Sequence, residues 1–414
     1  MDCEYSINCN GEITCIRTCD LRSHPLGGGV IDAPGSICHR FGWNHWLRNH
    51  FPGNQSEMNM QFRGVPTRTL TFAALLCATA LLGARATVSA AEPCGHDEIC
   101  GLKNPEDMIR VKWSGWALVS RLGRDSQAPG GFSLVGLESR TSRVLVPDVS
   151  KPPIAMYSSC PRAPVASDLI THGLDVRQTK RGAAEVFAVN HGGRESIEVF
   201  DLLVNNRGAS LTWKGCVMLP ADMSANAVAA LPDGLAVSSF GTSGDQGTAE
   251  LLAGNPSGFV GRWTPKEGWV HVAGSEFGGD NGVTAAPDGR VLYVNDWNDG
   301  TLRIVPLGKG VAPATIKLGN FHPDNVHSLA DGKLLIAGQI GNARDVMACA
   351  KEARCSVGSM IVVVDPKGQR VQSHVTVAPT STFGAASTAL LYGKDYWMSS
   401  YRGDRIVRVM QSEE

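Results

Sequence analysis

Three stretches decide the fold: NAVAALPDGLAV (residues 226–237), NGVTAAPDGRVLYV (281–294) and NVHSLADGKLLIA (325–337). Each sets a polar residue ahead of a short apolar run, breaks at an Asp-Gly turn and resumes as a β-rich run, which reads as strand, tight turn, strand. Looser copies begin at Glu106 (ending in Trp116-Ala-Leu-Val), at His172 (ending in Val186-Phe-Ala-Val) and near Gly384 (ending in Tyr396-Trp-Met). Six units therefore recur at intervals of roughly 44 to 66 residues, enough for four strands and their turns. Outer strands show as Ser196-Ile-Glu-Val-Phe-Asp, Thr301-Leu-Arg-Ile-Val and Met360-Ile-Val-Val-Val-Asp, and no segment keeps a helical period. The pattern predicts an all-β chain folded as a six-bladed β-propeller. A pair of β-sandwiches is the competing architecture, but it does not explain why a polar residue heads unit after unit. In a propeller the innermost strands begin around a central channel, so their leading residues converge.

On that arrangement Glu106, Asn226, Asn281 and Asp324-Asn325 point from different blades toward one axis. They form an all-oxygen set of two carboxylates and three amides. Calcium takes six to eight oxygen ligands in irregular geometry, whereas zinc prefers nitrogen and sulfur, so the set predicts a central calcium site. Taken singly, each Asn or Asp also has a plainer reading as a turn former that bonds its own backbone. Two histidines stand out beside them. His172, in Thr171-His172-Gly173-Leu174, opens a repeat, and His191, in Val189-Asn190-His191-Gly192, follows the next apolar strand. A hairpin relation puts both at the channel mouth, where imidazoles titrating near neutral pH suit a general base and a proton relay. A lone histidine is more often structural.

Charge and composition narrow the partners. The 414 residues carry 38 basic and 39 acidic side chains, a formal charge of −1, with 43% hydrophobic residues. So even a balance, without basic runs, argues against a nucleic-acid partner held through phosphates. The 47 glycines and 22 prolines are spread without period, as frequent turns require.

Residues 1–91 differ from the rest: they hold no lysine but six cysteines, Cys3, Cys9, Cys15, Cys19, Cys38 and Cys77. After Met58 and Met60 come Arg63 and Arg68, an apolar run from Leu70 to Ala84, and small residues through Ala90-Ala91. Basic region, apolar core and cleavage site in that order predict a signal peptide over 58–91, with an apolar run too short for a stable membrane span. Residues 1–57 then read as an upstream segment, either translated from a start codon placed too early or a disordered leader. The cysteines there lack the paired knuckles of a zinc module. The expected mature chain is an exported domain of residues 92–414, periplasmic or secreted. It keeps Cys94, Cys100, Cys160, Cys216, Cys349 and Cys355, an even number that suggests disulfides. Cys94 with Cys100 and Cys349 with Cys355 would each close a small loop, leaving Cys160 with Cys216; free buried thiols are the alternative.

These residues carry a specific likeness. Pro105-Glu106-Asp107-Met108, His172-Gly173-Leu174, Val189-Asn190-His191, Ser224-Ala225-Asn226, Asp280-Asn281-Gly282-Val283 and Asp324-Asn325-Val326 stand in an order that resembles the paraoxonase and arylesterase family of calcium-dependent six-bladed propeller lactonases, over residues 104–412. The resemblance implies that Glu106, Asn226, Asn281, Asp324 and Asn325 bind a catalytic calcium and that His172 and His191 form a catalytic dyad. It also implies a second, structural calcium, for which Asp107 and the Leu174 carbonyl are in place. There the pattern breaks: the acidic residue expected after Asn226 is Ala227. The cysteine that would link the chain ends is missing too, so strand pairing, with Ile406-Val-Arg-Val joining the N-terminal blade, must close the ring. Gluconolactonase and regucalcin-like propellers are the more distant relatives by this reading, sharing the metal site but not the histidine pair.

The expected function is a calcium-dependent hydrolase that opens small-molecule lactones and cleaves aryl esters. The ion would polarise the carbonyl, His172 take a proton from water and His191 pass it on, with Asp324 as an alternative base or nucleophile. A gluconolactonase-like sugar lactonase and a non-catalytic binding propeller with a structural calcium are the competing functions. Gly-x-Ser-x-Gly, P-loop and His-Glu-x-x-His motifs are absent. The segments 241–258 and 341–355 are candidate pocket walls, and Phe240, Trp263, Trp269, Phe277, Trp297 and Phe321 candidate lining or blade core. Substrate and oligomeric state are not encoded in any motif.

Overall fold

The expected strand–turn–strand units are six four-stranded antiparallel sheets in a computed structural model of the chain. It describes residues 93–411 apart from 113, 124–129, 206–207, 242–243 and 353–354, together with residues 5–7 and 13–15. The chain divides into two units, 1–91 and 92–414. In the first, Tyr5–Ile7 pairs antiparallel with Ile13–Cys15. The expected signal peptide over 58–91, and the rest of 1–57, lie outside the described residues.

In the second unit the innermost strands are Pro105–Arg110, Thr171–Lys180, Ala225–Leu231, Asp280–Ala285, His322–Ser328 and Ala386–Tyr392. Each touches the next, and the last touches the first, which closes a six-bladed propeller. Five blades run from inside to outside in chain order. The sixth takes Ala386–Tyr392, Asp395–Ser400 and Arg405–Met410 from the C-terminal end and Glu98–Cys100 from the start of the unit. Ile406 pairs with Ile99, so strand pairing closes the ring, with the N-terminal strand joining the last blade.

Alternation places one apolar row of each strand between blades. Phe132, Leu134, Phe200, Leu202 and Trp213 fill the space between the first two blades, with Phe132 and Phe200 edge to face at 5.2 Å. Comparable clusters lie at the other interfaces. The inner strands carry small residues, since they converge on the axis. A Cβ on Gly173 would come 2.6 Å from the Ala227 Cα of the next blade, and one on Gly282 would collide with the Asp324 carbonyl.

Among the described residues three disulfides form, Cys94–Cys100, Cys160–Cys216 and Cys349–Cys355, as an oxidising compartment permits. Among the described residues no helix is long and apolar enough to cross a membrane. Two helices, Gly244–Leu252 and Ala343–Ala348, lie between the second and third strands of the third and fifth blades. In an antiparallel sheet the second strand ends where the first begins, so both helices overhang the end of the channel at which the inner strands start.

Candidate active site and metal centre

The same device recurs in every innermost strand. Strand register slips near the start of each strand, between Pro105 and Met108, Thr171 and Leu174, Ala225 and Val228, Asp280 and Val283, Pro323 and Val326, and Ala386 and Thr388. A β-bulge of this kind takes residues out of the ladder and re-aims their side chains. The residues so released are Glu106-Asp107, His172-Gly173, Asn226-Ala227, Asn281-Gly282, Asp324-Asn325 and Ser387. The polar residues that head the units therefore sit in bulges within strands, where turn formation does not account for them. Backbone groups freed by the bulges find hydroxyls: the Asp107 amide donates to Ser120 Oγ at 2.8 Å and the Ala227 amide to Ser238 Oγ at 3.1 Å. Ser387 Oγ donates to the Glu106 carbonyl and stitches the last blade to the first.

Glu106, Asn226, Asn281 and Asp324 line one cavity of about 540 Å³, and all four are buried. The amide oxygens Asn226 Oδ1 and Asn281 Oδ1 are buried with no hydrogen-bond partner. Leaving such an acceptor unsatisfied costs about 1–3 kcal/mol, so two of them on one cavity suit a partner that accepts electron density, a cation or a donor. Asn325 stands behind this group: its Nδ2 donates to Glu106 Oε1 at 2.7 Å. Gln339 holds the other carboxylate, donating to Asp324 Oδ2 at 2.7 Å while its own Oε1 accepts from Trp297 Nε1 at 3.2 Å. Two carboxylates and two orphaned amide oxygens, with no sulfur among them, are the donor chemistry of a hard cation and fit calcium. Beside them Asp280 is pushed well above the usual carboxylate range, first by burial and then by the neighbouring Asp296 carboxylate.

His172 occupies in the second blade the bulge place that Glu106 and Asn226 occupy in the first and third. His191 follows the strand paired with it, and its backbone N–H donates a hydrogen bond to the Ile170 carbonyl at 3.0 Å. Buried Asn190 holds the turn around it, accepting from the Ile170 amide and donating to the Gly192 and Arg194 carbonyls. His172 Nδ1 lies 3.0 Å from His191 Nε2, and His191 Nδ1 lies 2.8 Å from Glu195 Oε2. An ionised carboxylate only accepts, so His191 Nδ1 donates to Glu195, and in the neutral imidazole His191 Nε2 then accepts from His172 Nδ1. That assignment leaves a lone pair on His172 Nε2, which stands 3.7 Å from Glu106 Oε1. Both histidines line the cavity. Glu195 was not singled out from the sequence; its signal is its place four residues after His191 in a short loop.

The cavity walls are apolar: Leu122, Ile170, Phe240, Trp297, Val346 and Met347. The expected wall 341–355 contributes through the helix Ala343–Ala348, and Leu251 of the segment 241–258 packs with Trp297 and Val346 beneath it. Of the candidate aromatics, Phe240 and Trp297 line the cavity, while Trp263, Trp269, Phe277 and Phe321 pack in the blade interfaces. A second cavity of about 620 Å³, lined by Lys112, Trp116, Glu138 and Arg181 among others, shares none of these residues.

The remaining expected residues, Asp107 and Leu174, fall outside the cavity lining. Asp107 Oδ1 accepts from His327 Nε2 at 2.7 Å and its Oδ2 from the Leu174 amide at 2.8 Å. Burial alone would lower the His327 imidazole, but the Asp107 carboxylate and Asp175 outweigh it and hold it above the ordinary histidine value. Asp175 is itself raised by burial, against the pull of the Ala230 and Val176 amides.

No family model matches the chain, and no curated protein matches it. Solved structures do. A proposed gluconolactonase is 14% identical over 78% of this chain and 95% of its own, with a TM-score of 0.44. A luciferin-regenerating enzyme is 11% identical over 76% and 93%, at 0.47. Virginiamycin B lyase from Staphylococcus aureus is 11% identical over 76% and 98%, at 0.41. Likenesses at this level carry no argument about chemistry, and the paraoxonase resemblance rests on the residues quoted above.

Proposed function

We propose that the protein is a calcium-dependent hydrolase that opens lactones and cleaves aryl esters in the cavity above the channel. The observation that carries this reading is the chain Glu195–His191–His172, which ends on the cavity that holds the orphaned oxygens of Asn226 and Asn281. Glu106, Asn226, Asn281 and Asp324 would hold the calcium, with Asn325 and Gln339 fixing the two carboxylates. When bound, the ion supplies Lewis-acid stabilisation of the negative charge that develops on a substrate carbonyl oxygen. His172 Nε2 takes a proton from the attacking water, and the hydrogen bond from its Nδ1 to His191 lets positive charge spread toward Glu195. Loss of that proton makes water a sufficient nucleophile at neutral pH; the acyl C–O bond of the lactone or ester then breaks, and the proton held on His172 Nε2 passes to the leaving oxygen, which restores the histidine pair. Asp324 is tied to Gln339 and suits a ligand better than a base.

The walls support one class of lactone over another. Phe240, Trp297, Val346 and Met347 offer apolar surface and few hydrogen-bond partners, which favours a lactone with an alkyl or aryl substituent over a sugar lactone. His172→Gln separates the roles: turnover is expected to fall by about a hundredfold or more while calcium affinity stays within about twofold. Equal loss of both would refute the assignment of His172 as base.

A further inference from the structure

The level of the channel beneath the cavity is built from the same bulges but ends differently. Asp107 follows Glu106, and three N–H groups converge on its carboxylate: His327 Nε2 at 2.7 Å and the Met108 amide at 2.8 Å on Oδ1, and the Leu174 amide at 2.8 Å on Oδ2. Asp175, in the second blade, accepts at 2.7 Å from the Ala230 amide of the third blade and at 2.7 Å from its own neighbour Val176. The place in the third blade that corresponds to Asp107 in the first is Ala227, a buried methyl that brings no side-chain ligand atom. A divalent cation at this level needs several oxygens turned toward it, and the carboxylates here already face N–H donors.

We propose that the imidazole of His327 fills the place a second cation would take, so that this level of the channel holds no ion. One donor from the fifth blade thereby ties a carboxylate of the first across the axis. The tie spans 220 residues of sequence and does not depend on metal supply. The resemblance implies a structural calcium at Asp107 and Leu174; here the Leu174 main chain meets Asp107 as a donor, and the opposing carboxylate is gone. The inference is independent of the hydrolase reading, since it concerns a place that the cavity does not include.

The test is the number of calcium ions bound per chain, by titration calorimetry and by elemental analysis after dialysis, with circular dichroism as the control for fold. The double variant Ala227→Asp/His327→Ser is expected to bind one ion more per chain than the wild type, and Asp107→Asn as many as the wild type. A wild type that binds two ions overturns the proposal. So does a folded double variant with the wild-type count, or a folded Asp107→Asn variant that has lost an ion. If the double variant does not fold, the wild-type and Asp107→Asn counts decide. A wild type that binds none, beside a double variant that binds one, would sink the calcium reading of the cavity and leave this inference standing.

Discussion

Glu106 and Asp107 are neighbours in one bulge, yet their surroundings are opposites. Around Glu106 the amide oxygens of Asn226 and Asn281 face the cavity with nothing to bond, while around Asp107 the carboxylate is met by three N–H groups. A protein that can satisfy one level of its axis so completely does not leave the other unsatisfied without cause, because buried polar groups without partners are expensive. On the proposed reading, the contrast separates polarity that holds the blades together from polarity that takes a ligand.

Substitutions at the two levels should therefore fail in different ways. The largest effect is expected from Glu106→Ala, which removes a carboxylate from the upper group: calcium binding is lost and turnover falls by about a thousandfold or more, as when a dominant electrostatic element is removed. Retained calcium affinity would blur the distinction between levels. Next comes Glu195→Gln, with turnover about tenfold lower and KM little changed, in line with the usual cost of removing a partner that orients a working group. An unchanged turnover number would reduce Glu195 to a surface contact. His327→Ala belongs to the lower level and should show in stability, at about 1–3 kcal/mol for a buried carboxylate that loses one of its three donors, read from the denaturant midpoint. The smallest effect is expected from Met347→Ala in the cavity wall: KM for an alkyl-substituted lactone rises by about three- to tenfold while a small unsubstituted lactone is little affected. Equal effects on both lactones would remove the wall from substrate recognition.

The propeller was readable because Asn226, Asn281 and Asn325 each precede an Asp-Gly turn and an apolar run, and such a pattern is local. The same locality brought Glu106, His172 and Asp324 into view as heads of their units. What it hid are the partners. Gln339 reaches Asp324 from the adjacent strand of the same blade, and His327 reaches Asp107 across the ring. Neither contact leaves a mark in sequence spacing: strand register within the blade sets the first, and ring closure sets the second. The bulges were invisible for a related reason: strand register is a property of two paired chains, and it alone converts a polar residue ahead of a strand into one aimed at the axis. Phe240 and Trp297 could not be separated from Trp263 and Phe321 until the overhanging helices Gly244–Leu252 and Ala343–Ala348 were placed above the channel.

The central claim is that the upper level works through a bound ion. Hydrolysis of an alkyl lactone and an aryl ester should be followed with calcium, after exhaustive chelation and after calcium is restored. The account expects activity that disappears with the ion and returns with it. Hydrolysis that persists through chelation, or a folded, calcium-loaded protein that turns over neither substrate, would contradict it.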